Sequence, residues 1–417
     1  MPISRRSFLQ CAMTGVSVTS LGLGSSTTPA ATAYKEWMLG PFIKQDEVNP
    51  ILGADFDSQF FCPARKKLVR WEARAILGAA AIVKEGKLCL IYHAEDTSEG
   101  YAGLRGSLGT FREGYAESKD GMNFQRHSEP VIYPAEDFMK DAEWLGGCEI
   151  PRIVEGPDGA YYLYYSALNR QHQVTLLSVA TSKDLLRWEK HGLAFGKAYD
   201  GQYRRLMSKA GAVVTKLEKG RLVATRIKGK YWMYWGTSDI FVAVSEDLIE
   251  WTPLKLSGSN PALETRFVDP ILTASNEETK DLMVVQGPRN GRFDSEIVEG
   301  GVAVLTRNGI VHIYNACDFN SPQALFGRKK SAVRGTPLTF GQALYDAGDP
   351  TRLLDRSDTP FLRPDREYEM SGCTPMVIYC TGLAYFAGKW WLYYNGADWV
   401  VSVATAEASA AQLTANR

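Results

Sequence analysis

Apolar residues along the chain come in short, aromatic-rich runs set between glycine- or charge-led turns. That is the pattern of strands rather than helices. Five runs share one grammar: a turn, an apolar stretch, then a paired aromatic. They read KLCLIYHAED, GAYYLYYSAL, KYWMYWGTSD, IVHIYNACD and KWWLYYNGAD, with anchor aromatics at Tyr92, Tyr165, Trp235, Tyr314 and Tyr394. Successive anchors lie 73, 70, 79 and 80 residues apart. Strand-rich repetition at this period marks a propeller, in which each blade buries its face against the next. The sequence therefore predicts an all-β fold, a five-bladed β-propeller of four-stranded antiparallel blades.

A second repeat runs in phase with the first. Ala-x-Ser-x-Asp followed by an aromatic occurs as AESKDGMNF (Asp120, Phe124), ATSKDLLRW (Asp184, Trp188) and AVSEDLIEW (Asp247, Trp251). A degraded copy is VSVATAEAS, from Val401 to Ser409. Each predicts a strand ending in a Ser/Asp turn, whose side chains satisfy free backbone groups while the aromatic packs between blades. The stretches 255–290 and 318–345 read as loop-rich decorations on one domain.

Residues 1–33 are expected to lie outside that domain. Ser4-Arg5-Arg6-Ser7-Phe8-Leu9 has the form of a twin-arginine export signal, followed by a mildly apolar stretch and a small-residue cleavage site at Ala31-Thr32-Ala33. The alternative is a disordered tail with a chance arginine pair. The first reading leaves residues 34–417 as a single propeller, delivered to the periplasm or secreted.

The charges balance, 47 basic against 47 acidic residues, and removal of Arg5 and Arg6 leaves a net −2. No basic excess invites nucleic acid, and no further apolar stretch is long enough to span a bilayer. Beyond Cys11, six cysteines are scattered without CxxC pairs, and the five histidines show no ligand spacing, so neither metal nor cofactor is expected. The absence of a P-loop, a dinucleotide fingerprint and Gly-x-Ser-x-Gly argues against nucleotide chemistry and acyl transfer. Ten tryptophans and twenty tyrosines are many for this length, and most must serve blade packing. Some should line the funnel as platforms for sugar rings, making an oligosaccharide the expected ligand. Nothing in the sequence indicates an oligomeric state.

Four segments then resemble glycoside hydrolase family 130, five-bladed propellers that hydrolyse or phosphorolyse β-mannosides. Gly146 to Glu155 (GGCEIPRIVE) resembles the family's Gly-x-Glu-Asp-Pro-Arg run, and Gly109 to Gly114 (GTFREG) its Gly-Thr-Ser-Arg-Ile-Gly run. Phe293 to Gly301 (FDSEIVEGG) resembles the Glu-Pro-Gly-Pro segment of its hydrolases, and Tyr393 to Asp398 (YYNGAD) the closing Tyr-Tyr-Gly-x-Ala-Asp. The likeness runs from about Ala79 to Ala404. The departures are specific. The family's general acid, the aspartate of Glu-Asp-Pro-Arg, is Ile150 here, and an arginine of the first blade is His93.

Inverting hydrolysis needs an acid for the leaving oxygen and a base for water, whereas phosphorolysis needs the acid and a cluster of cations. The resemblance implies Glu299 as base, since the family's hydrolases keep a glutamate there and its phosphorylases a small residue. A carboxylate capping the adjacent glycine turn is the bland alternative. Glu149 is the carboxylate nearest in sequence to the lost acid and is the candidate replacement, against a structural ion pair. Asp96 is the other contender for the acid, or would hold the terminal sugar with Arg152, Asp294, Asp398 and Tyr394, while Arg112, Arg152 and Lys209 would face the funnel as cations. Glu369 reads as structural.

The leading reading is an exported inverting glycosidase acting on β-mannosides or a related β-linked oligosaccharide. The second is a mannoside phosphorylase, and the third a non-catalytic glycan-binding propeller. The surroundings of Ile150 should separate enzyme from binder, because losing a general acid costs about 10²–10⁴ in rate.

Overall fold

The computed structural model describes residues 34–97, 109–169, 174–256, 276–318, 337–409 and 412; the segment read as an export signal lies outside them. Five antiparallel sheets of four strands follow one another along the chain. Blade 1 comprises Ala75–Lys84, Lys87–Glu95, Phe111–Ser118 and Gln125–Arg126. Blade 2 comprises Gly147–Glu155, Tyr161–Asn169, Val174–Ser182 and Glu189–Leu193. Blade 3 has Ala212–Glu218, Tyr231–Trp235, Ile240–Ser245 and Trp251–Pro253. Blade 4 has Ile297–Thr306, Gly309–Cys317, Leu338–Tyr345 and Leu353–Arg356. In blade 5, Ile378–Phe386, Lys389–Gly396 and Val400–Glu407 are completed by Ile43–Lys44 from the other end of the chain. That last pairing builds one blade from both ends of the chain and so closes the ring. The first strands of all five blades line one cavity, with Ala81, Val154, Val213, Val304 and Leu383 in its wall.

The paired aromatics of the sequence repeat divide two tasks. The first of each pair reaches across the seam. Tyr164, Tyr234 and Tyr393 donate at 2.8 Å to the carbonyls of Leu248, Pro350 and Gly121 in the following blade. At the other two seams the equivalent residues are Ile91 and Ile313, which bury apolar surface instead. The acceptors Gly121 and Leu248 lie in the Ser-x-Asp turns. There Ser118, Ser182 and Ser245 each accept two backbone N–H bonds, and Asp120, Asp184 and Asp247 accept two more. The Arg187 N–H, with that of Leu186, holds the Asp184 carboxyl below its ordinary range against a smaller opposing effect of burial. The turn aromatics pack backward across the seams, Trp251 edge-on to Tyr164 and Phe124 edge-on to Tyr393.

The second aromatic of each pair is an anchor inside its own blade. Tyr92, Tyr165, Tyr314 and Tyr394 donate to Glu72, Glu143, Asp294 and Glu369 at 2.5, 2.8, 2.8 and 2.9 Å. Each carboxylate sits just before its blade's first strand and also meets a cation on the fourth strand: Arg126, Lys190, Arg356 and Lys44 respectively. The knot therefore ties the entry segment, second strand and outer strand of one blade. The tyrosine must cross the third strand to do so, which demands a small residue opposite it. Gly114, Ser178, Gly341 and Ser402 occupy those positions. A Cβ on Gly114 would stand 2.5 Å from the Tyr92 ring. Blade 3 confirms the logic by exception: its anchor is Trp235, with Phe241 opposite, and the pair stacks at 4.9 Å in an apolar cluster with Phe195 and Leu206.

Two stretches read as decorations contribute strands. Leu338–Tyr345, within 318–345, is the third strand of blade 4, and Val284–Gln286, within 255–290, pairs with Ile240 and Phe241. The blade 4 strand ends in Tyr345-Asp346 without the Ser-x-Asp signature, so the repeat that marked the other third strands was silent there. Residues 257–275 and 319–336 of those stretches lie outside the described ones. The six cysteines among the described residues are free thiols.

Two predictions follow from these buried groups. Glu369 accepts from Tyr394, Lys44 and the backbone N–H groups of Asp365 and Arg366. Glu369→Ala should destabilise by about 3 kcal/mol, because buried Lys44 keeps only half-exposed Asp365 and the Arg363 carbonyl while two backbone N–H groups and the Tyr394 hydroxyl lose their acceptor. Tyr394→Phe should destabilise by only about 1 kcal/mol, both changes being read by denaturant unfolding. Equal costs would sink the knot as a cation-centred device. His312 is fully buried against Tyr234 at 4.9 Å, with neither ring nitrogen bonded among the described residues. Burial first, then Arg152 and Arg356, lowers its pKa from 6.5 to about 3. The unfolded chain then binds the proton that the folded one refuses, so stability falls as pH drops from 6.5 toward 3. His312→Leu should flatten that decline by about 1.4 kcal/mol per pH unit within this window, measured as unfolding free energy against pH.

Candidate active site at the propeller axis

The first strands are interrupted at one level around the axis. Ladder register shifts between Leu77 and Ala79, Glu149 and Arg152, Gly300 and Val302, and Cys380 and Gly382. A bulge re-aims side chains that a regular strand would alternate between faces. Three of the five first-strand entries use left-handed backbone at this level: Gly78 (φ +25°), Ile150 (φ +55°) and Ala210 (φ +59°). Isoleucine is the unexpected member, because a β-branched side chain is strained there.

Side chains from four blades meet at this level. Glu299 of blade 4 receives the Lys209 ammonium at 3.2 Å and the Tyr379 hydroxyl in a short hydrogen bond. Arg152 of blade 2 donates from Nε to the Gly301 carbonyl at 2.8 Å and from one terminal nitrogen to Gly300 at 2.9 Å. It also reaches the Tyr379 hydroxyl at 3.4 Å. All four side chains are buried to within a few per cent. Burial, reinforced by the Glu299 carboxylate, pushes the Tyr379 hydroxyl well above its ordinary pKa, so it stays a donor. The group is thus a carboxylate clamped by an ammonium and a phenol, with a guanidinium spent on backbone carbonyls beside it. A carboxylate so placed can take a proton from an attacking nucleophile.

Ile150 completes the wall. Its side chain packs with Val377, Tyr379 and Leu338, and its backbone N–H lies 3.3 Å from His93 Nδ1. The spot where the family places its acid is therefore lined by apolar groups and one phenol. His93 is neutral, because burial and then Arg152 lower its pKa to about 3.

The axis thus gathers Glu299, Arg152 and Lys209 from the sequence candidates. It does not gather Asp96, Arg112, Asp294 or Tyr394. Asp96 and Arg112 form a fully buried ion pair at 2.7 Å, and Arg112 also reaches the Thr110 carbonyl and the Cys62 sulfur. Asp294 and Tyr394 are committed to blade knots, where burial leaves no room for a sugar. Asp398 is half-buried at the end of the second strand of blade 5, accepting from Asn395 at 2.7 Å. Glu149 is buried in the ladder opposite Ser166. Sequence reasoning missed Tyr379. Its signal was positional, since it stands two residues before the blade 5 bulge, as Glu299 stands two before the blade 4 bulge. Among the described residues, no cluster of three or more His, Cys, Asp or Glu could hold a metal ion.

The chain is similar to known proteins along most of its length. A family model described as β-1,4-mannooligosaccharide phosphorylase matches residues 99–260 and 304–411. A 1,2-β-oligomannan phosphorylase of Thermoanaerobacter sp. (strain X514) is 30% identical over 81% of this chain and 91% of its own length. One solved structure aligns with a TM-score of 0.79 at 36% identity, covering 92% of this chain and 98% of its own. It is titled "The GH130 family of mannoside phosphorylases contains glycoside hydrolases that target beta-1,2 mannosidic linkages in Candida mannan". A putative glycoside hydrolase from Bacteroides ovatus ATCC 8483 aligns with a TM-score of 0.78 at 38% identity, covering 91% and 100%. With Glu299, Arg152 and Lys209 at the axis of five blades, the chain belongs to glycoside hydrolase family 130, whose members are enzymes acting on mannosides.

Proposed function

We propose that this protein cleaves β-1,2-linked mannosides at the axial site. The convergence of Glu299, Lys209, Arg152 and Tyr379 from four blades carries the reading, and the names of the relatives supply the sugar and linkage. Those names favour orthophosphate as the acceptor, the second reading of the sequence, over water. One feature of this site favours water. Lys209 is already neutralised by Glu299, and Arg152 is spent on the carbonyls of Gly300 and Gly301. A phosphate entering there would meet a carboxylate in place of a free pair of cations, whereas a water would meet a base. The apolar setting of Ile150 supports the third reading, a glycan-binding propeller without turnover.

We also propose that the chain is exported by the twin-arginine route, supported by the Ser4–Leu9 motif. Fractionation of cells expressing the full chain and an Arg5→Lys, Arg6→Lys variant checks it: the variant should stay in the cytoplasm.

The acceptor is tested by incubating the purified protein with β-1,2-mannobiose, with and without orthophosphate. Mannose 1-phosphate formed only with phosphate establishes phosphorolysis. Free mannose without phosphate establishes hydrolysis, and Glu299→Gln should then lower the rate by about 10²-fold or more. Binding by calorimetry with no product under either condition would establish the glycan-binding reading.

A further inference from the structure

The chain enters blade 1 through a hairpin that stands outside the blade sheets, Phe60–Cys62 paired with Lys67–Val69. Side chains alternate between its faces. Phe60, Cys62 and Val69 are buried on the inner face, whereas Phe61 and Leu68 stand opposite one another on the outer face, 57% and 63% exposed. Phe56, just before the hairpin, is 54% exposed. Ten large apolar side chains among the described residues are exposed, and three of the ten fall between Phe56 and Leu68. Single exposed apolar residues are ordinary on a protein surface, but a cluster of them marks a contact face.

The inner face is tied to the propeller. The Phe60 ring packs on Tyr133 at 4.8 Å, and Arg112 donates to the Cys62 sulfur at 3.3 Å. At the turn, Arg65 donates to the Thr110 hydroxyl at 2.9 Å and stands over the Trp144 ring. At the open end, the Glu72 N–H donates to the Ser58 hydroxyl and the Asp55 N–H to the Glu72 carbonyl, each at 3.0 Å. The outer face is therefore held in shape before anything binds it, which lowers the ordering cost of association.

The charges around that face divide by sign. Asp55 and Asp57 lie at the open end, and exposed Glu129 joins them because the Trp71 indole donates to the Ser128 carbonyl at 3.2 Å. Arg70, at the same end, offsets one of these three acids. The turn carries Lys66 and Lys67, both exposed. An acidic end, an apolar centre and a basic end, in that order, form a face complementary to itself when turned end for end. An anionic membrane would attract the lysines but repel the acidic end. A second copy of the chain satisfies both ends.

We propose that this outer face binds a second copy of the protein in a two-fold dimer whose hairpins lie antiparallel. Phe56, Phe61 and Leu68 of each copy cover those of the other, and the lysines at each turn meet the acids at the opposite open end. The apolar centre is small beside the roughly 800 Å² that each partner of a stable dimer buries. Assembly therefore takes place at micromolar protein. The inference is independent of the mannoside reading, because none of these residues belongs to the axial set.

Sedimentation velocity of the full-length protein, from low to high micromolar concentration, tests this. The sedimentation coefficient should rise with concentration, and less steeply at high ionic strength. Phe61→Ser with Leu68→Ser should weaken association by about tenfold or more. Asp57→Lys with Glu129→Lys should also weaken it, as should Lys66→Glu with Lys67→Glu. An equimolar mixture of these last two proteins should associate again, since each then carries the charges that both ends of the other require. All the altered side chains are exposed, so unfolding midpoints should stay close to that of the parent protein and report that each variant is folded. A monomer at every concentration overturns the proposal, as does association that survives the serine changes or fails to return in the mixture. Co-sedimentation of a monomer with phosphatidylglycerol vesicles, lost on the serine changes, would assign the face to a lipid surface and overturn it too.

Discussion

The buried carboxylate that joins an anchor tyrosine to an outer-strand cation is the interaction on which the rest of the molecule depends. A blade is thin, and its fourth strand is the one furthest from the axis and least covered. Tying that strand to the segment that enters the blade fixes both ends of the sheet with one charged contact. Such a contact is strong only when every partner is present, because each ion is taken out of water. In blade 5 the cation is Lys44, on the strand that closes the ring, so the same knot also joins the two ends of the propeller. Blade 3 lacks the knot and substitutes aromatic burial around Trp235.

The knots leave the axis free for different chemistry. Asp294 and Glu299 are five residues apart, yet one is enclosed by Arg289, Arg356 and Tyr314 inside blade 4 and the other faces Lys209 and Tyr379 at the axis. What separates them is the entry into the first strand. Before it, a carboxylate serves the blade. At the bulge, it serves the funnel. The bulges make that division possible by turning successive first strands inward at one level.

The same division decides which charges remain for a ligand. Arg112 and Asp96 cancel within blade 1, and the knots absorb four more acids with their cations. The axial set is therefore small: one carboxylate, one ammonium, one phenol and a guanidinium already bonded to carbonyls. Those groups sum to a single positive charge, carried by a guanidinium whose donors are already bonded to carbonyls. The site is better suited to a polyhydroxylated sugar and a small polar acceptor than to a highly charged ligand.

The blade count, the strand grammar and the Ser-x-Asp turns could be read in the residues, because each depends on neighbours in sequence and recurs at a fixed period. Glu299, Arg152 and Lys209 were also legible, since they lie in recognisable motifs, the first two beside a bulge and the third next to left-handed Ala210. Tyr379 was not. Its significance comes from blades facing one another, and no local pattern marks a tyrosine that reaches a carboxylate 80 residues away. Asp294, Tyr394, Asp96 and Arg112 resembled ligand groups by residue type and position, and only the folded chain showed their charges and hydroxyls already satisfied. Sequence determined the architecture because short-range pattern sets strands and turns. Tertiary structure decided the chemistry because a carboxyl's role follows from which charges surround it, and here those charges come from other strands and other blades.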